Sequence, residues 1–171
     1  MHKMDIAVAV PGIPFSGDTF DNQSIGGSES AGEFMIRALA ALGHRVTAFT
    51  NTPEHVRCAH ADYLPLSQFR RYTEYTVHDV CIVQRAPELY SPPHSARFAA
   101  LWCHDLALLR QEDSVKGTAW NYDKIFVLSK FMRDQYAKVY GLPEEMLYQT
   151  RNGVDLGIVA ASRQALLDKA A

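Results

Sequence analysis

The residues best suited to chemistry stand where short apolar runs stop. Gly26-Gly27-Ser28-Glu29 lies between a long loop and a helical pattern running from about Ser28 to Leu42. A glycine pair at a helix start lets backbone N–H groups come close to an anion, and the helix dipole adds its positive end. Ser28 suits a helix cap, and Glu29 is tolerated in the first turn. That chemistry is anion binding, phosphate above all. The plain alternative is a pair of glycines ending a surface loop. Gln84-Arg85, His104-Asp105, Ser129-Lys130 and Arg151-Asn152-Gly153 each follow a shorter apolar run in the same way.

Other chemistries find little support. No Gly-x-Gly-x-x-Gly follows the first apolar run, so a nicotinamide or flavin site is poorly supported. Lys116-Gly117-Thr118 has the wrong order and context for a P-loop, and no Asp-x-Asp advertises a metal-bound diphosphate. Ser28 lacks the Gly-x-Ser-x-Gly elbow of a hydrolase nucleophile. Cys103 and His104 are adjacent, so in a strand they face opposite ways and make a poor nucleophile–base pair or chelate. Cys58 and His60 fall on one face of a strand, but two ligands do not make a zinc site. No metal is expected.

The elements that must position these residues alternate between strand and helix. Ile6–Val10, Arg45–Thr50, Asp79–Gln84, Phe98–Cys103, Lys124–Leu128 and Met146–Thr150 read as strands, with Cys58–Leu64 as a weaker, edge-like one. Pro11–Gly27 reads as a long loop, which inside a domain is functional or mobile. The first helix follows it and stops at Gly43. Ser67–Arg71 suits a short helix, Pro87–Ala96 a turn and a short helix with Pro92-Pro93 as punctuation, and Leu106–Asn121 loop with irregular helix. Ser129 caps a helix reaching about Tyr140, stopped by Gly141. Near-continuous apolar runs alternating with helices specify an α/β, Rossmann-like sandwich, a mostly parallel sheet with helices on both faces. Ligands of such sheets bind beyond the carboxyl ends of the strands, which gathers the candidate residues along one rim.

The chain has 171 residues, a formal net charge of −2 and 47% hydrophobic residues, enough for one domain with a sizeable core. With so little net charge and no long basic run, nucleic acid is not an expected partner. No apolar run approaches the length that spans a bilayer. Met1–Asp5 leads straight into strand-like sequence, so no signal peptide is expected. Cys58, Cys81 and Cys103 are odd in number and widely spaced, which suits a reduced, cytoplasmic chain.

Taken in order, the chain resembles the N-terminal half of a GT-B fold glycosyltransferase, most like family 4. The resemblance rests on Gly26-Gly27-Ser28-Glu29 after the opening strand and loop, and on Leu39-Ala40-Ala41-Leu42-Gly43-His44-Arg45-Val46-Thr47 at a helix-to-strand turn. It also rests on Trp102-Cys103-His104-Asp105 at a strand end, and on Val127-Leu128-Ser129 with its helix, then Asn152-Gly153-Val154-Asp155. These pieces cover nearly all of Asp5–Asp155. The resemblance implies residues 1–155 as the acceptor-side domain, and residues 156–171 as a tail where the linker to a second, donor-binding domain begins.

It further implies a retaining, metal-independent hexosyltransferase that moves a sugar from a nucleotide-sugar donor to a glycan or glycolipid acceptor, with no other cofactor. The isolated chain is then expected to be inactive. Peripheral association with the inner face of the membrane is compatible with a glycolipid acceptor. By the same resemblance Gly26, Gly27 and Ser28 approach the donor, and His104 faces the transferred sugar as the catalytic residue. Glu29 is expected to hydrogen-bond loop backbone. Asp105 orients His104 or receives an acceptor hydroxyl, with a helix cap as its default role. Arg85 and Arg151 offer cations to an anionic acceptor or solvate the edge, and Asn152 forms the turn into the hinge. Tyr72, Tyr75, Trp120 and Tyr122 are candidates to stack on a sugar, with core packing as the default. The alternatives are a GT-B sugar-nucleotide epimerase and a non-catalytic carbohydrate- or protein-binding module.

Overall fold

A computed structural model describes residues 2–22, 24–92, 95–107, 112–153 and 156–170. The strands are β1 (Asp5–Val10), β2 (Arg45–Thr50), β3 (Val56–Arg57), β4 (Asp62–Pro65), β5 (His78–Gln84), β6 (Ala96–Trp102), β7 (Lys124–Val127) and β8 (Leu147–Gln149). The helices are α1 (Gly17–Asn22), α2 (Gly27–Ala41), α3 (Phe69–Tyr75), α4 (Glu112–Thr118), α5 (Lys130–Tyr140) and α6 (Leu156–Ala170). The strands form one sheet in the order β3-β4-β2-β1-β5-β6-β7-β8, parallel except for the β3–β4 pair. The direction of winding reverses at β1, between β2 and β5. This is the Rossmann-like α/β architecture that the run of apolar strands specified.

Alternation along β1 explains why both faces are covered. Ile6, Val8 and Val10 enter one apolar cluster, with Ala31 and Ile36 of α2. Ala7 and Ala9 enter the other, with Val83 of β5, Val115 of α4 and Met132, Tyr136 and Tyr140 of α5. Burying each of Ile6, Val8 and Val10 contributes about 1.5–3 kcal/mol, and the Ala7 and Ala9 methyl groups about 0.8 kcal/mol each, so both faces of β1 favour a dry contact. Helix α2 crosses β1 closely: a Cβ on Gly32 would lie 2.9 Å from Val10 Cγ2.

Several boundaries behave as the sequence pattern says. Ser129 caps α5 by accepting the Met132 N–H at 3.1 Å, and Gly141 closes it in the left-handed conformation, φ 66°. The tail from Leu156 is helical, with Leu156 and Leu166 exposed. Other expectations need correction. The Cys58–Leu64 stretch is not one strand; β3 and β4 form a small hairpin, with Cys58–Ala61 at its turn. The Leu106–Asn121 stretch holds a regular helix, α4, followed by a 3-10 turn over Ala119–Asn121; residues 108–111 lie outside the described residues, as do Pro93, Val154 and Asp155.

The largest correction concerns Pro11–Gly27. The segment contains helix α1, and Phe15 sits in the core at 2% exposure, edge-on to Tyr63. Thr50 Oγ1 donates to Phe15 O at 2.6 Å, and Asn51 Nδ2 to Gly12 O at 2.7 Å. Beneath α1, Glu33 of α2 is completely buried and accepts from Tyr63 Oη at 2.6 Å and Arg37 Nε at 2.7 Å, with His60 Nε2 at 3.2 Å. Arg37 Nη2 also donates to Gly17 O at 3.0 Å, tying α1 to α2. The loop is thus a packed, tethered piece of the fold. Its Gln23 lies outside the described residues.

Among the described residues no helix is long and apolar enough to cross a membrane, and no group of three or more His, Cys, Asp or Glu is placed to hold a metal ion. His60 makes its hydrogen bonds to Glu33 and Tyr63.

Candidate functional site

Parallel strands deliver their carboxyl ends to one rim, and at the switch point β1, β5 and β6 deliver Pro11, Gln84 and Cys103 side by side. Helix α2 starts over the same point. Its N-cap is Gly26 (φ −64°, ψ 159°), with no side-chain cap. Ser28 does not cap the helix, contrary to expectation; it is already inside the first turn. Its hydroxyl donates to Glu29 Oε2 at 2.8 Å and accepts from Arg85 Nη1 at 3.1 Å.

Glu29 is 4% exposed and clamps the loop, as its expected bond to loop backbone requires. Its Oε1 accepts the Ile13 N–H at 3.0 Å. Burial works against its charge, but the N–H groups of Ile13 and Glu29 itself, the Ser28 hydroxyl and the Arg85 cation outweigh it and hold its pKa below the usual carboxylate value. Two glycines make room for this carboxylate. A Cβ on Gly12, whose φ is 134°, would lie 2.0 Å from Oε1; one on Gly26 would lie 2.2 Å from Oε2. Gly27 is different: a Cβ there meets nothing within 4 Å.

Beyond β5 the chain makes a tight turn. Ala86 N–H bonds back to Gln84 O at 2.7 Å, and Arg85 at its centre takes φ 65°. A non-glycine residue in the left-handed region costs of order 1–3 kcal/mol, and such strain gathers at functional sites. The turn throws the Arg85 side chain across the rim, where Nε donates to Asp105 Oδ2 at 2.8 Å. Both side chains are more than a third exposed, at 38% and 46%. Such a pair contributes about 0–1 kcal/mol, so it orders the rim more than it stabilises the fold. Asp105 is therefore Arg85's partner; the helix-cap role falls against residues 108–111, which lie outside the described residues. Its backbone oxygen accepts from Tyr136 Oη at 3.0 Å.

His104 stands next to these groups, half-buried, with its ring edge-on to Trp102 at 4.4 Å. It is not the free rim side chain that its strand-end position suggests. Its Nε2 lies 2.8 Å from Nε2 of Gln84, which is fully buried and also donates to Ser28 O at 2.7 Å. Burial, then the Arg85 cation, lowers the His104 pKa to about 4, against weaker opposite pulls from Asp105 and Glu29. The ring is neutral at physiological pH. Cys103 is no nucleophile, since burial pushes its thiol up to about 12.

The structure thus joins Gly26, Gly27, Ser28, Glu29, Arg85, His104 and Asp105 with Gln84, a strand-end candidate that carried no assigned role, and with Gly12, which entered only as part of the Pro11–Gly27 loop. Gln84 had one signal, a polar residue ending the apolar run Val80–Val83. Arg151 and Asn152 do not join. They lie exposed past β8, which stands three strands from β5, roughly 14 Å at ordinary strand spacing. The aromatic candidates scatter as well: Tyr122 is buried, Tyr72 stacks on His78, and Trp120 and Tyr75 are exposed away from the rim site.

A cleft of about 420 Å³ opens beside the network. Gly12, Arg85, His104 and Asp105 line it together with Glu88 and Tyr136. Its size suits a small polar ligand. The wall offers a guanidinium, a neutral imidazole and carboxylates, which is equipment for hydroxyl- and phosphate-bearing molecules and for stabilising charge as it develops. No protein-family model matches the chain, and no curated protein matches it.

Proposed function

We propose that the chain is the acceptor-side domain of a GT-B glycosyltransferase of family 4 type. The observation that supports this reading best is the single hydrogen-bonded network from the start of α2 through Gln84 and Arg85 to His104 and Asp105, at the switch point and beside the cleft. In this reading the acceptor's hydroxyl enters the cleft. The donor's sugar and diphosphate lie between Gly27 with His104 on one side and a second Rossmann-like domain on the other. The bond from the anomeric carbon to the phosphate oxygen breaks, and its electron pair leaves with the phosphate. The acceptor oxygen forms the new bond to the same carbon, and its proton passes to the departing phosphate. His104 hydrogen-bonds the sugar as charge separates, and Arg85 stands where negative charge collects.

Two measurements test this. In the two-domain protein, His104→Ala should lower kcat for sugar transfer by on the order of tenfold to a thousandfold, about 1.4–4 kcal/mol, with donor KM changed much less. Turnover counted per folded molecule separates this loss from any lowering of stability through Gln84. The isolated chain should bind nucleotide-sugars no tighter than millimolar, about −4 kcal/mol. Micromolar binding with turnover by the isolated chain, or normal kcat in His104→Ala, would overturn the proposal.

A further inference from the structure

Gln84 ends the central strand β5 as a completely buried amide. Its nitrogen makes both of the contacts that matter, to Ser28 O at 2.7 Å and to His104 Nε2 at 2.8 Å. An amide nitrogen carries two hydrogens and does not accept. Reversing the amide would set its oxygen 2.7 Å from another acceptor, the Ser28 carbonyl, so Ser28 settles which way Gln84 points. His104 Nε2 must then be the acceptor, and a neutral imidazole that accepts at Nε2 carries its proton on Nδ1.

We infer that Gln84 is a positioning residue: one buried amide that ties the first turn of α2 to His104 and holds the imidazole as the Nδ1–H tautomer. The ring therefore presents a hydrogen-bond donor at its remaining nitrogen, and among the described residues that nitrogen has no partner. A ligand group next to it must supply an acceptor oxygen, as a sugar hydroxyl or a phosphoryl group does; an ammonium group is disfavoured. What the ligand is rests on the proposed function, whereas the tautomer rests on Gln84 alone.

The arrangement carries a cost that marks it. Gln84 Oε1 is buried without a hydrogen-bond partner among the described residues, a cost of about 1–3 kcal/mol that an apolar side chain of the same shape would avoid. The amide's two N–H groups are what an apolar replacement cannot supply. Protonating His104 would turn Nε2 into a second donor facing Gln84. The charged groups around the ring are Arg85, Asp105 and Glu29, and the lowered pKa of His104 agrees with a site that keeps it neutral.

The test reads the proton's position directly. Long-range ¹H–¹⁵N spectra of the ¹⁵N-histidine-labelled chain distinguish Nδ1–H from Nε2–H imidazoles. The His104 signal is identified by its loss in His104→Gln. The wild-type chain near neutral pH should show His104 as a single Nδ1–H form. Gln84→Glu replaces the donor by an acceptor and should move the proton to Nε2 and raise the titration midpoint by more than about one unit. Gln84→Met, which keeps the volume, should release the ring to a mixture of tautomers. An Nε2–H form or a mixture in the wild type overturns the inference, as does a folded Gln84→Glu whose ring is unchanged. Sugar transfer plays no part in this readout. An inactive two-domain protein with His104 held as Nδ1–H would therefore sink the proposed function and leave the role of Gln84 standing.

Discussion

Replacing each of three glycines by alanine separates what the fold demands from what a ligand demands. At Gly12 the new Cβ lies 2.0 Å from Glu29 Oε1, and the backbone sits at φ 134°. Backbone strain of about 1–3 kcal/mol adds to the displacement of a buried carboxylate, for a total of about 3–5 kcal/mol. At Gly26 the backbone suits alanine, but the Cβ meets Glu29 Oε2 at 2.2 Å. The carboxylate must shift away from the Ile13 N–H or the Ser28 hydroxyl, at a cost of about 1–3 kcal/mol. At Gly27 the Cβ meets nothing and the residue is helical, so alanine changes stability by between zero and a gain of about 1 kcal/mol. Urea denaturation should rank Gly27→Ala at or above the wild type, then Gly26→Ala, then Gly12→Ala, the last melting about 10 °C low.

Turnover should rank them differently. If a donor phosphate approaches the backbone at Gly27, a methyl group there obstructs it. The Gly27→Ala two-domain protein should then lose tenfold or more in kcat/KM, about 1.4 kcal/mol or more, while being as stable as the wild type. A destabilised Gly27→Ala would show that this glycine serves the fold. Unchanged kcat/KM would remove it from the site. A Gly12→Ala chain as stable as the wild type would refute the clamp around Glu29.

Further outcomes follow from buried charge. The folded pKa of His104 is about 4, below an unfolded value near 6.5, so between these pH values the unfolded chain binds the extra proton. Stability should therefore rise with pH from about 4 to about 6.5 and level off above, by at most about 3 kcal/mol and less in so far as the ring is solvated. Burial lowers the His78 pKa too, with the same sign, so the difference between the wild type and His104→Asn in urea melts at each pH isolates His104; parallel curves would contradict its depressed pKa. Glu33→Ala removes the buried carboxylate that Tyr63, Arg37 and His60 share and should cost about 3–5 kcal/mol, with turnover per folded molecule unchanged. A loss under about 1 kcal/mol would refute the tether beneath α1.

The strands could be read from the sequence because apolar runs such as Ile6–Val10 and Asp79–Gln84 are buried on both faces and leave no period to misread. The rim followed, since parallel strands put their carboxyl ends together. Lateral order did not follow. Arg151-Asn152 and Arg85 end strands in the same manner, and only the sheet order sets them three strands apart. Partners distant in sequence were equally hidden. Glu33 looks like an ordinary helix-surface acid until His60 and Tyr63, 27 and 30 residues on, close over it. Gln84 looks like the polar end of a strand until Ser28 and His104 converge on its nitrogen.

The glycine pair shows where pattern reading stops being enough. Side by side in sequence, Gly26 and Gly27 suggest one purpose, an anion at a helix N-terminus. In the folded chain the Glu29 carboxylate already occupies part of that positive end, held by the N–H groups of Ile13 and Glu29. It fills the space in which a Cβ of Gly26 would stand, so Gly26 is explained by the fold alone. Gly27 is not, because among the described residues a Cβ placed there meets nothing within 4 Å. A second anion coming to this helix must pass a carboxylate, and the cation beside it, Arg85, is the group that offsets the repulsion. The strained turn that aims Arg85 across the rim therefore matters as much to anion binding as the glycines do.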